Sequence, residues 1–160
     1  IYENHLLVGY GVYKFGDPAY GSKFQSSEDL QEQFDFAKTK PKVKGSVLYS
    51  VKYLVENKVR IMDVIRNVYK SPVLLPYLGR TITEKPNAPT NVRINGSNLS
   101  WNGVQAAYYA VYKDNGVNQI ASLIGTTKDT TFKLNEKGTY FVTALDKKNA
   151  ESDLSESVNY

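Results

Sequence analysis

The feature that most constrains the fold of this chain is a change of period at Pro86. Downstream of Ala88 no stretch places apolar residues at helical spacing. Short alternating segments follow instead: NVRING, NLSWNG, YYAVYKDNG, IASLIGTT, TTFKLN, GTYFVTALD and SESVNY, with turn residues between them. Alternation sends successive side chains to opposite faces of a strand, and about seven strands at this spacing predict a β-sandwich. Asp114-Asn115-Gly116 predicts a hairpin turn, because Asn and Gly tolerate positive φ. Trp101 is the expected core anchor. Tyr140, shortly after Leu134 and Gly138, stands where a tyrosine corner forms. The same alternation puts Tyr108 and Tyr112 on one face of their strand and Tyr109 on the other.

Upstream of the break the pattern is strand, helix, strand, helix. LLVGYGVY is an apolar run of the kind buried on both faces of a parallel sheet. In SEDLQEQFDFAK, Leu30, Phe34 and Ala37 fall at helical spacing. Ser26 with Asp29 offers a capping-box start, and Glu28 and Asp29 suit the helix dipole. VKGSVLYS supplies a second strand. VRIMDVIRNVYK follows, with Ile61, Val64, Ile65 and Val68 in one apolar stripe. Pro72 stops that helix, and an extended connector with four prolines leads to the β region. Such alternation predicts parallel βα units. Two units are too few for a complete α/β domain, so this half is expected to be part of a larger one.

Composition narrows the chemistry. The 160 residues include no cysteine and one histidine, so disulfides, thiolate catalysis and a cysteine- or histidine-built metal centre are not expected. His5 reads as a strand-edge residue. Residues 1–85 carry 13 Lys/Arg against 9 Asp/Glu, and residues 86–160 carry 7 against 7. The basic excess is scattered and lacks a nucleic-acid motif, so no nucleic-acid partner is expected. The apolar runs fall well short of the roughly 18–20 residues of a membrane span. Gly9-Tyr-Gly11-Val-Tyr-Lys14 lacks the third glycine of a dinucleotide fingerprint, and no Walker sequence or nucleophile elbow is present. No cofactor is expected.

Particular residues also carry a resemblance. Pro86 and Pro89, Leu99-Ser-Trp101, Tyr109-Ala-Val111-Tyr112, and Leu134 through Gly138-Thr-Tyr140-Phe-Val142-Thr-Ala144 with Ser152 resemble a fibronectin type III domain. The first half is similar to the C-terminal end of bacterial family 10-like glycoside hydrolases, which are (β/α)8 barrels. His5-Leu-Leu-Val-Gly9 through Tyr13-Lys14 matches their seventh strand and Glu28 to Phe36 the helix after it. Lys44-Gly45-Ser-Val-Leu-Tyr49-Ser50 matches their eighth strand, and Tyr69 to Pro76 the closing stretch.

The resemblance implies an α/β segment, the last two βα units of a TIM-type barrel, over residues 1–78. A proline-containing linker over 79–87 and a fibronectin type III-like all-β sandwich over 88–160 would follow. Active sites of such barrels lie at the C-terminal strand ends. Tyr13, Lys14 and Asp17 are therefore expected on that rim from one strand, and Tyr49 and Ser50, with Tyr53, from the other. Aromatic rings there would stack on sugars, while Lys14 or Asp17 would hydrogen-bond hydroxyls. Glycoside hydrolysis usually needs two carboxyl groups roughly 5–9.5 Å apart. Glu28, Asp29, Glu32 and Asp35 lie instead along one predicted helix, so no catalytic residue is assigned.

The parent is expected to be a secreted or cell-envelope bacterial protein acting on carbohydrate, with this part inactive alone and the sandwich a spacer or accessory module. The apolar faces would be covered by the N-terminal barrel portion or by a second copy of the chain. The alternative is a non-enzymatic adhesion, scaffolding or glycan-binding module.

Overall fold

A computed structural model describes residues 5–79 and 81–160. The first four positions of the expected barrel segment, and Arg80 of the expected linker, lie outside the described residues. The chain divides into two compact units, one running to Lys70 and the other beginning at Ser71. Residues 71–78, grouped above with the barrel segment, thus fall in the second unit.

In the first unit β1 (Leu6–Tyr10) pairs in parallel with β2 (Val43–Leu48), joined by three 3-10 turns and helix α1 (Ser27–Lys38). Helix α1 starts where the sequence places it, but the cap differs in detail. The Ser26 hydroxyl accepts from the Glu28 amide, while Asp29 pairs with Lys23 rather than reaching back to Ser26. Leu30, Phe34 and Ala37 are buried, and with Tyr10, Val12, Phe15 and Ile61 they form the core of this unit. After β2 come α2 (Val51–Glu56) and α3 (Ile61–Val68), separated by a bend in which Asn57, Val59 and Arg60 all take positive φ. Val64, Ile65 and Val68 of α3 pack against the core as their spacing predicts.

Among the described residues, only one face of this small sheet is covered. Val8, Tyr10 and Leu48 turn toward the helices, whereas Leu7 is 64% exposed and Val47 51% exposed. The described strands of this unit number two, and they do not close into a barrel.

The second unit is an antiparallel sandwich. Strands β3 (Thr90–Asn95), β4 (Asn98–Asn102) and β7 (Thr131–Lys133) form one sheet, in the order β3-β4-β7. Strands β5 (Tyr108–Asp114), β6 (Ser122–Thr127), β8 (Thr139–Leu145) and β9 (Val158–Asn159) form the other, in the order β6-β5-β8-β9. Val92, Leu99, Trp101, Tyr109, Val111, Leu134, Tyr140, Val142 and Ala144 fill the space between them.

Tyr140 donates its hydroxyl to the Glu136 carbonyl at 2.8 Å, four residues upstream. Tyr140→Phe keeps the ring and leaves that carbonyl without its donor. The expected cost is about 1–2 kcal/mol, the range for a lost hydrogen bond with a stranded partner. Urea unfolding of the two proteins measures it, and an unchanged midpoint would remove the hydroxyl from the account of stability.

Candidate functional site

The sequence-assigned rim residues sit where β1 and β2 end. Gly11 follows β1 and opens the turn Val12–Lys14. Val12 and Phe15 are buried in the core, which anchors the turn on both sides and leaves Tyr13 and Lys14 to project from it. The glycine has a steric reason. A Cβ at position 11 would stand 3.2 Å from Tyr13 Cε1 and 3.4 Å from Lys14 Cε, so both side chains fold back across the bare backbone.

Tyr13 is the hub of an aromatic cluster. Its ring centroid lies 5.5 Å from Tyr20 in an edge contact, 6.1 Å from Tyr49 at 90°, and 6.0 Å from Tyr53. These separations are within the range in which edge-to-face pairs attract. Tyr49 follows β2 and donates its backbone amide to Tyr10, the last residue of β1, which ties the two strand ends together. Tyr49 is 67% exposed and Tyr20 43%, so the cluster presents ring surface to solvent. Ser50 precedes α2 at the N-cap position, without capping it through its side chain.

The Lys14 ammonium lies 5.8 Å from the Tyr13 ring centroid, 5.9 Å from Tyr20 and 5.3 Å from Phe24. Cations within about 6 Å of a ring face are held by its quadrupole.

Asp17 is placed differently from the other rim residues. Its carboxylate accepts from the Ala19 amide at 2.9 Å and caps the turn Pro18–Tyr20 that carries Tyr20. Gln25 braces the same loop, donating to the carbonyls of Asp17 and Gly21. The structure thus joins Tyr13, Lys14 and Tyr49 with Tyr53, and adds Tyr20, Phe24 and Gln25. Sequence reasoning passed over those three. The only signal for Tyr20 and Phe24 was their place in the loop after the strand, since loop residues carry no periodicity.

The acids of α1 do not form a facing pair. Asp29, mostly covered, meets Lys23 at 3.8 Å, and the exposed Asp35 meets Lys38 at 3.0 Å.

In the sandwich, Tyr109 is buried, and its hydroxyl exchanges hydrogen bonds with both the amide and the carbonyl of Val104. Tyr108 and Tyr112 occupy the opposite face, as alternation requires, but neither stands free. Tyr108 donates to Asn149 at 2.6 Å, and Tyr112 donates to Glu151 at 2.8 Å while stacking on Phe141. Burial first, then the Glu151 carboxylate, push the Tyr112 hydroxyl above its ordinary pKa. Tyr108 also lines an open groove of about 630 Å³, walled by Pro72–Leu75, Leu123 and Thr126. That lining is largely aliphatic and presents no carboxylate.

No family model matches the chain. A curated relative does match. The chain is similar to a glycosyl hydrolase. That relative is Glycosyl hydrolase YngK of Bacillus subtilis (strain 168), 28% identical over 171 aligned positions. The match covers 94% of this chain, and the chain spans about a third (33%) of the relative's length. At that coverage the match takes in most of each compact unit. Among solved structures, a Fn3-like protein from Clostridium thermocellum is 22% identical, with a TM-score of 0.41, over 48% of this chain and 92% of that one. The glycoside hydrolase domain of Endo-D from Streptococcus pneumoniae R6 is 16% identical, with a TM-score of 0.38, over 49% of this chain and 15% of that one. The glycosyl hydrolase relative agrees with the resemblance carried by the residues of the first half. No helix among the described residues is long and apolar enough to cross a membrane.

Proposed function

We propose that this chain is the C-terminal part of a carbohydrate-processing glycosyl hydrolase. Its first unit would supply the last two βα units of a TIM-type barrel, and its sandwich would serve as an accessory or spacer module. The observation that carries the reading is the Tyr13-centred cluster at the C-terminal ends of two parallel strands, where barrel enzymes build their sites. The uncovered Leu7–Val47 face supports the same reading, since barrel strands bury both faces. A relative three times as long, similar across both units, supports it as well.

In this reading the chain contributes contacts rather than bond cleavage. The exposed rings of Tyr49 and Tyr20 offer apolar surface to the C–H faces of a sugar. A hydrolytic pair of carboxylates is not assigned within the chain, because Asp17 is engaged by its own turn and Asp29 and Asp35 of α1 pair with lysines.

Titration of the chain with cellotetraose and chitotetraose, followed by NMR, tests the sugar contact. Tyr49→Ala is expected to weaken binding about tenfold, the effect of truncating one aromatic anchor. Binding unaltered by both Tyr49→Ala and Tyr13→Ala would remove the rim from the account, and a different site would have to hold the sugar.

A further inference from the structure

Within the rim, the Lys14 ammonium is held by rings rather than by a carboxylate. Lys23, Lys38, Lys52, Lys58, Arg60 and Arg66 each lie 2.6–3.9 Å from a carboxylate of the same unit. Lys14, like Lys40, Lys44 and Lys70, has no such partner among the described residues, and of these four Lys14 is the one placed in the Tyr13 cluster. Its ammonium is surrounded instead by Tyr13, Tyr20 and Phe24, with its stem laid across Gly11. Ring faces attract a cation, but they offer no strong acceptor to its three N–H donors. The nearest acid in sequence, Asp17, is engaged by the Ala19 amide. The cluster therefore presents a fixed positive charge whose counter-charge the described protein does not supply, beside exposed aromatic surface.

We infer that Lys14 reads a carboxylate on the saccharide, so that the rim takes an acidic oligosaccharide in preference to a neutral one. This rests on the reading of the rim as a sugar site. The two features act on different parts of one ligand. Aromatic faces take the ring C–H surface, which neutral and acidic sugars share, and the ammonium takes the carboxylate, which only the acidic one has.

A matched pair of probes tests the inference: cellotetraose, and the tetramer of β-1,4-glucuronate, which differs from it in the carboxylates at C6. Affinities are measured by NMR titration at about 20 mM and about 200 mM salt, because a charge contact weakens with screening and a ring contact does not. The expected result is binding of the glucuronate tetramer at least about tenfold tighter at low salt, with most of that margin lost at high salt. Lys14→Met, which keeps the stem and removes the charge, should abolish both the margin between the two tetramers and its salt dependence, and Lys14→Arg should restore both. Circular dichroism melting verifies that each variant is folded. Should Lys14→Met fail to fold, Lys14→Gln, which also removes the charge, takes its place in the same titrations.

Equal affinity for the two tetramers would overturn the role of Lys14 and leave the rim as a neutral-sugar site. A preference that survives Lys14→Met would move the charge reader elsewhere. Absence of binding by either tetramer would overturn both this inference and the rim reading on which it rests.

Discussion

Trp101→Ala is expected to destabilise the sandwich by about 3–5 kcal/mol, the range for truncating a buried aromatic. Trp101 is 5% exposed, meets Tyr109 edge-on at 5.4 Å, and belongs to a core drawn from both sheets. A unit of this size has a total stability of roughly 5–10 kcal/mol, so one substitution would remove a large share of it. The melting temperature should fall by roughly 12–40 °C at the usual 4–8 °C per kcal/mol for small domains.

Trp101→Phe separates two contributions. It removes volume, but it also removes the indole N–H, which is buried without a hydrogen-bond partner. A stranded donor costs about 1–3 kcal/mol, so its removal offsets part of the lost packing. The phenylalanine variant should therefore lie much nearer the unmodified protein than the alanine variant does. Calorimetric melting of the three proteins checks both points. Equal destabilisation by Phe and Ala would show that the indole nitrogen is satisfied, and a small effect of Ala would show that the sheets do not close on Trp101.

The sandwich was readable from sequence because its signal is repeated along each strand. Alternation separates Tyr108 and Tyr112 from Tyr109, the one the structure buries, and the seven segments correspond to β3 through β9. Where the signal fails, side chains have replaced backbone pairing. SESVNY reads as a full strand, but β9 is only Val158–Asn159. Just before it, the hydroxyls of Ser152 and Ser155 accept from the amides of Ala144 and Val142, and their own amides donate to the carbonyls of the same two residues. The serines hold the segment to β8 without a continuous ladder, and alternation of apolar and polar residues cannot report that.

The first unit was less legible for a related reason. Helix α1 has caps, acids and an apolar stripe that agree, whereas α2 is six residues long and ends where Asn57, Val59 and Arg60 turn left-handed. A helix that short shows less than two turns of periodicity. The site divides in the same way. Tyr13, Lys14 and Tyr49 follow directly from strands, so the strand ends locate them. Tyr20 and Phe24 reach the cluster through three successive 3-10 turns, whose course depends on Gln25 and on the Asp17 cap.

The sole tryptophan turns the other large expected effect into a selective one. Phe34 is buried in the first unit, stacked on Tyr10 at 4.4 Å and meeting Tyr69 edge-on at 6.0 Å. Phe34→Ala should cost about 3–5 kcal/mol there. That unit has a two-stranded sheet with one face open, and a two-stranded arrangement is marginal without further cover. The loss should therefore unfold it outright at room temperature. Every contact named for Phe34 lies before residue 70, and the chain's one tryptophan, Trp101, lies beyond it. Helical ellipticity, which α1 and α3 supply, should collapse in Phe34→Ala while the Trp101 emission and its urea midpoint stay as they were. Joint loss of both signals would show that the sandwich needs the first unit to remain folded. Retention of both would show that the core drawn around Phe34 is not what holds α1 against β1.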